Sequence, residues 1–133
     1  MSNLRRVLLV DDHPLFRWGL RQALADEDGF EITAEAATLA EAQSRASEAE
    51  FDLAIVDISL PDGSGLDLVS WLTERLPSLP VVVMSMHDSA EFVRSAIRKG
   101  ARGYVTKGAP ASEIAAALHV VVAHRRSPPN TSS

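Results

Sequence analysis

Short aliphatic runs recur along this chain, and after each comes a stretch with helical spacing. The runs fall at residues 7–10, 32–36, 53–56, 81–84 and 103–105. They are mostly continuous rather than alternating, which suits strands buried on both faces. Between them, Phe16, Leu20, Ala23 and Leu24 share one helical face. Leu66, Val69 and Leu72 share another, as do Val93, Ala96 and Ile97, and finally Ile114, Leu118, Val121 and Val122. Helix starts are marked by Pro14, by Thr38 with Glu41, by Asp88 with Glu91, and by Ser64 before Gly65. Gly29 and Gly100 stand where helices should end.

A strand–helix unit repeated five times predicts an α/β domain with a parallel sheet covered on both faces. Right-handed crossovers leave few topologies. The natural choice is a flavodoxin-like (βα)5 fold with strand order 2-1-3-4-5. The chain has 133 residues, enough for one domain with an ordinary core. Residues 1–124 are expected to form it. Residues 125–133, polar and proline-rich, read as a linker or disordered tail.

Composition removes several function classes. There is no cysteine, so thiol catalysis, disulfides and cysteine–zinc sites are excluded. The net charge of −5 gives no broad basic footprint for nucleic acid. The local pairs Arg5 with Arg6 and Arg125 with Arg126 read as solvated surface. The opening MSNLRRVLLVDDH has too short an apolar run for a secretory signal. No stretch is long enough to span a membrane, and a cytoplasmic location is expected.

The run at 53–56 meets Asp57 and then a Pro-Asp-Gly turn. Burying an ionised carboxylate without partners is costly, so Asp57 lies at a strand mouth or serves a cation. Ligands of such sheets bind beyond the carboxyl ends of the strands. Those ends carry Asp11 and Asp12, Asp57, Ser85, and Thr106 with Lys107. Carboxylates gathered on one rim repel unless neutralised. Mg²⁺ prefers oxygen ligands and commonly shares its shell with a phosphate, and an arriving phosphoryl group would give Lys107 a partner. Taken singly, each residue has an ordinary reading. An Asp pair after a strand is commonly a helix cap or solvated turn, and an Asp before Pro-Asp-Gly is often a turn residue. Their coincidence on one inferred rim carries the signal.

At this point the chain resembles the receiver domains of two-component response regulators. The motifs are VLLVDDHPLFRWGL at 7–20, AIVDISLPDGSGLDL at 54–68, VVVMSMHD at 81–88 and GARGYVTKGA at 100–109. The wording DDHPLFR and SLPDGSG is most similar to the NarL/FixJ (LuxR-type) group, whose receivers usually precede a DNA-binding helix-turn-helix domain. The resemblance covers residues 5 to about 124.

That resemblance implies a signalling switch rather than an enzyme with a diffusible substrate. Asp57 would accept a phosphoryl group from a sensor histidine kinase. Mg²⁺ would be held by Asp12 and Asp57, by Asp11 partly through water, and by the backbone carbonyl of Ser59. Ser85 would bond the phosphoryl group and Lys107 would pair with it. Tyr104 would turn inward as Ser85 moves, reshaping the surface of helix 4, strand 5 and helix 5 and favouring a homodimer; on the residues alone it reads equally as an ordinary half-buried tyrosine of an edge strand. DNA would be reached only through a C-terminal helix-turn-helix domain missing here, so a piece of a longer regulator is the favoured reading over a stand-alone receiver. From their inferred positions, Ser59 and His87 would line the path of hydrolytic water.

Two features depart from the common pattern or bear on rival readings. Many receivers carry proline after the active-site lysine, with a cis peptide; here Gly108 follows Lys107, and a non-proline cis bond costs roughly 2.5–4 kcal/mol, so trans is expected. An aspartyl-nucleophile phosphatase would want a second carboxylate two residues after Asp57, where Ser59 stands. A flavin module would need a Ser/Thr/Gly phosphate loop after the first strand, which DDHPLF does not supply. A pseudo-receiver used only for interaction remains the other alternative. Trp18 falls opposite the buried face of its helix and is expected to be partly exposed, on Arg21 or Gln22 or toward a partner; Trp71 is expected to pack at a rim. His13 follows the acidic pair, so a metal role is open to it, but Mg²⁺ prefers oxygen and a surface histidine is expected; His119 and His124 read as solvent or interface positions.

Overall fold

The computed structural model describes residues 4–25, 29–87 and 89–123. The elements are β1 (Arg5–Val10), α1 (Pro14–Ala25), β2 (Phe30–Ala36), α2 (Leu39–Glu48), β3 (Leu53–Asp57), β4 (Ser59–Leu60), β5 (Gly63–Ser64), α3 (Gly65–Arg75), β6 (Val81–Ser85), α4 (Ala90–Arg98), β7 (Gly103–Thr106) and α5 (Ala111–Ala123). Five strands pair in parallel in the order β2-β1-β3-β6-β7. This is the predicted 2-1-3-4-5 sheet. The addition is a two-stranded antiparallel hairpin of β4 and β5, which folds the Pro61–Asp62 turn back on itself.

The continuous aliphatic runs are explained by the two faces of the sheet. Leu8, Val10, Ala54, Val56, Val81 and Val83 join a core with Ala42 and Ala46 of α2, Leu68, Val69 and Leu72 of α3, and Ala96 of α4. Val7, Leu9, Leu53, Ile55, Val82 and Met84 point the other way, to Leu20 and Leu24 of α1 and Ile114, Leu118 and Val122 of α5. Successive residues of a strand alternate in face, so a strand buried on both sides has no polar position until it reaches an end.

Helix starts follow the expected chemistry with two changes. Thr38 Oγ1 accepts from Glu41 N at 3.0 Å while Glu41 Oε1 accepts from Ala37 N at 2.7 Å, and Ser64 Oγ accepts from Leu66 N at 3.1 Å. The expected pairing of Asp88 with Glu91 involves Asp88, which lies outside the described residues. Ser89 caps α4 instead, accepting from Phe92 N at 3.3 Å. Asp62 adds a cap from a distance: its two oxygens accept from Leu39 N and Ala40 N of α2 at 2.7 and 3.1 Å. One expected core residue is corrected. Ile97 is 51% exposed, and α4 packs through Phe92 and the fully buried Ala96, which lie one turn apart. His124, Arg125, Arg126 and the expected tail lie outside the described residues. No helix among the described residues is long and apolar enough to cross a membrane.

Candidate functional site

The carboxyl ends of β1, β3, β6 and β7 form one rim. β1 delivers Asp11, whose N–H is held by the Ala36 carbonyl at 2.9 Å. β3 ends on Asp57 and is followed by Ile58, whose N–H bonds the Met84 carbonyl. β6 ends on Ser85, and the Ser85 carbonyl accepts from Lys107 N at 2.9 Å. That bond carries β7's pairing one residue further and turns Lys107 over the rim. Gly65 closes the structure beneath Asp57. A Cβ at this position would lie 2.0 Å from the Asp57 carbonyl oxygen, so the first turn of α3 can approach β3 only as glycine.

Lys107 Nζ stands 2.6 Å from Asp11 Oδ2 and 2.9 Å from Asp57 Oδ2. All three side chains are nearly inaccessible, at 5%, 1% and 4% exposure. Asp57 Oδ1 accepts the Ser59 N–H at 3.1 Å, and Asp11 Oδ1 accepts the His13 N–H at 2.7 Å. Asp12 borders the same space; its Oδ1 is buried and accepts no hydrogen bond. Arg17 fixes the loop from outside, donating to the Asp11 carbonyl at 2.7 Å and pairing with Glu35 at 3.3 Å.

The charges on this rim are under-compensated: three carboxylates face one ammonium. Burial pushes the Asp57 carboxyl above its usual range, although the Lys107 contact and the Ser59 N–H pull it down. The Lys107 ammonium is opposed by burial, yet the Asp11 and Asp57 carboxylates prevail and raise it. A site that keeps a buried Asp in contact with a fixed ammonium, with carboxylate oxygens still unfilled beside it, fits a divalent cation and a phosphoryl group together.

The predicted residues do not all touch. Asp11, Asp12, Asp57 and Lys107 converge, as read from the strand ends. Ser85 is buried on the adjacent strand, and its Oγ accepts the His87 N–H at 2.9 Å. Tyr104 is half-buried, and its hydroxyl donates to the His87 carbonyl at 2.7 Å. Both residues expected to move on switching are thus tied to the main chain of His87, whose ring stacks on Phe92 at 5.3 Å. The residue that sequence reasoning set aside is His13. Its side chain is 60% exposed, yet Nδ1 faces all three carboxylates. The signal was available: an Asp that accepts the N–H two residues on makes a tight turn, and Pro14 then starts α1 at once. The Lys107–Gly108 bond is trans, as expected. Beside Lys107 a cleft of about 440 Å³ opens, walled by Phe16, Gly19, Ala109 and Ile114 among others. Trp18 is 55% exposed on α1; Arg21 pairs with Glu35, and Trp71 packs at the core rim under Arg75.

Comparison with known proteins agrees with this geometry. The response regulator receiver domain profile matches residues 7–119. The DNA-binding transcriptional activator DevR/DosR of Mycobacterium tuberculosis is 38% identical over 90% of this chain and 55% of its own length. The chain spans about half the length of the curated relatives it matches. A LuxR-family two-component response regulator from an Aurantimonas species superposes with a TM-score of 0.87 at 31% identity, covering 96% of this chain and 91% of that one. The CheX–CheY–BeF₃–Mg²⁺ complex of Borrelia burgdorferi contains a chain with a TM-score of 0.81 at 25% identity, with 88% of each chain covered. The strand order, the four-residue rim and these matches lead to one conclusion: the chain belongs to the response regulator receiver domains of two-component systems, of the NarL/LuxR type.

Proposed function

We propose that Asp57 is the phosphoacceptor of this receiver and that a sensor histidine kinase is the donor. The observation that carries the reading is the Lys107 ammonium held 2.9 Å from a buried Asp57 whose remaining oxygen is fixed by the Ser59 N–H. One carboxylate oxygen of Asp57 attacks phosphorus. The bond from phosphorus to the kinase imidazole nitrogen breaks, and its electron pair returns to that nitrogen. The product is an acyl phosphate on Asp57. Lys107 passes from its carboxylate partners toward the new phosphoryl oxygens, and the Ser85 hydroxyl offers another hydrogen bond once it leaves His87 N.

The residues present fit Mg²⁺. Asp12 Oδ1 is a buried oxygen that accepts no hydrogen bond among the described residues, and Asp11, Asp12 and Asp57 offer an ion carboxylate oxygens that lie close together, to which the receiver reading adds the Ser59 carbonyl. When bound, the ion would neutralise the charge that develops between the carboxylates and the incoming phosphoryl group.

The phosphorylated state would break the two bonds to His87 in turn, releasing Ser85 Oγ and the Tyr104 hydroxyl. The surface of α4, β7 and α5 would change and bias an existing equilibrium toward a homodimer. A kinase helix would meet the cleft beside Lys107, flanked by exposed Leu15 and Trp18. Residues 1–124 are read as the receiver and 125–133 as a linker to a DNA-binding output domain of a longer cytoplasmic regulator, in keeping with the length and name of DevR/DosR.

The test is intact-protein mass after acetyl phosphate with Mg²⁺, beside Asp57→Asn. One phosphoryl gain that requires both Mg²⁺ and Asp57 is expected. Absence of any gain would refute the assignment and favour a pseudo-receiver that works by interaction alone, and a gain that survives Asp57→Asn would refute it by placing the phosphoryl group on another residue.

A further inference from the structure

The proposed mechanism gives His13 no task, yet its position is unusual for a surface residue. Nδ1 lies 3.2 Å from Asp11 Oδ1, 3.3 Å from Asp12 Oδ1 and 3.8 Å from Asp57 Oδ2. One ligand atom from each of these four residues falls within 4.8 Å of all the others. Lys107 Nζ is 3.2 Å from the same nitrogen. Nδ1 is thus as close to Asp11 Oδ1 as to Lys107 Nζ, and whether it donates or accepts follows its tautomer. In the Nε2–H tautomer the ring nitrogen offers a lone pair beside the gathered carboxylate oxygens, among them the buried Asp12 Oδ1. In that form the nitrogen and the oxygens can share one cation.

We propose that His13 Nδ1 is a nitrogen ligand of this cation site and makes it selective for first-row transition ions such as Mn²⁺, Co²⁺ and Ni²⁺ beyond what three carboxylates alone would give. This rests on the receiver reading of the same rim and adds a metal class to it. Mg²⁺ gains little from an imidazole, because it is a hard ion that prefers oxygen. Transition ions gain more, since imidazole suits them and their affinities rise along the Irving–Williams order. The backbone supports the role. The His13 N–H is held by Asp11 Oδ1 at 2.7 Å, and the next residue, Pro14, begins α1, so the ring is turned back over the rim from a fixed stem. Tighter Co²⁺ than Mg²⁺ binding is not in itself evidence, because that order holds at most sites; the effect of removing the imidazole is.

The experiment uses the full chain in two measurements. Mn²⁺ bound to the unaltered protein is examined by pulsed electron paramagnetic resonance for coupling to a ¹⁴N nucleus. Mg²⁺ and Co²⁺ are then titrated calorimetrically into the unaltered protein, His13→Asn and His13→Ala, with circular dichroism to confirm folding. A ¹⁴N coupling that disappears in both variants is expected. Co²⁺ affinity should fall by about tenfold, the lower end of what loss of a ligand-supporting group costs a metal site, while Mg²⁺ affinity stays within about twofold given its oxygen preference. Mn²⁺ bound without ¹⁴N coupling, or equal losses for Mg²⁺ and Co²⁺, overturns the assignment of His13. If Mg²⁺ still binds and Asp57 still takes a phosphoryl group in that case, the receiver reading stands and only this inference falls. If neither ion binds the unaltered protein, both fall.

Discussion

Replacing Lys107 by methionine removes the one ammonium that touches two carboxylates, each at most 4% exposed, and keeps a side chain of similar length. Taking one partner from a buried ion pair costs about 3–5 kcal/mol, because the charge left behind stays desolvated. For a domain of this size 1 kcal/mol moves Tm by roughly 3–6 °C, so Lys107→Met should lower Tm by about 10–25 °C in EDTA at neutral pH. The pH dependence fixes the cause. Burial already raises the folded-state pKa of Asp57, and Lys107 is among the groups that hold it down. Without Lys107 it rises further. A folded pKa above the unfolded one means that the folded state retains the proton longer, so stability is lost as pH rises through the folded value. The deficit of Lys107→Met should therefore be largest at neutral pH and shrink in mild acid. Adding Asp57→Asn should restore much of the lost stability, and Mg²⁺ at a hundred times its Kd should add about 2.7 kcal/mol by mass action. Urea or thermal unfolding at two pH values, with and without Mg²⁺, checks all of this. A variant as stable as the unaltered protein in EDTA, or a deficit that does not change with pH, would refute the claim that the rim is held together by this ammonium.

The remaining predictions probe the scaffold. Gly65→Ala forces a Cβ to within 2.0 Å of the Asp57 carbonyl oxygen and should cost about 3 kcal/mol, the upper part of the overpacking range; chemical denaturation reads it. Gly19→Ala, in the middle of α1 with nothing within 4 Å of the added Cβ, should instead raise stability by up to about 1 kcal/mol through helix propensity. Asp62 caps α2 from another loop, and the Leu39 and Ala40 N–H groups hold its carboxyl below the usual range. A lowered folded pKa gives stability that is present above the unfolded value and lost as pH falls through the folded one, so the Tm difference between the unaltered protein and Asp62→Ala should narrow in acid. Tyr104→Phe removes the donor to the His87 carbonyl and should cost about 0.5–1.5 kcal/mol if that bond behaves like other intramolecular ones; an unchanged urea midpoint would show that it does not anchor the loop.

The sheet was legible because its strands bury both faces. Leu8 and Val10 serve one core and Val7 and Leu9 the other, so the run at 7–10 had to be unbroken, and each first polar residue had to mark a strand end. The strand ends alone are enough to bring Asp11, Asp12, Asp57 and Lys107 to one rim. What stayed hidden depends on contacts between segments or on turn geometry. Asp62 looked like a turn residue because the helix it caps starts 23 positions earlier in the chain. Ile97 looked inward because it repeats one turn after Val93, but α4 touches the core through a narrower stripe at Phe92 and Ala96. His13 is the surface histidine its type suggests, and what its type does not show is that the tight turn at Asp11 places Nδ1 beside the carboxylates. The general rule that a doubly buried strand carries no charge fails at Asp57, and under the proposed phosphoacceptor role it fails where that role would require it. Such an acceptor oxygen would have to be dry enough to react and too poorly neutralised to be stable alone. Three carboxylates facing one ammonium leave negative charge under-compensated on the rim, which a divalent cation would relieve and which an added phosphoryl group would make more dependent on that cation.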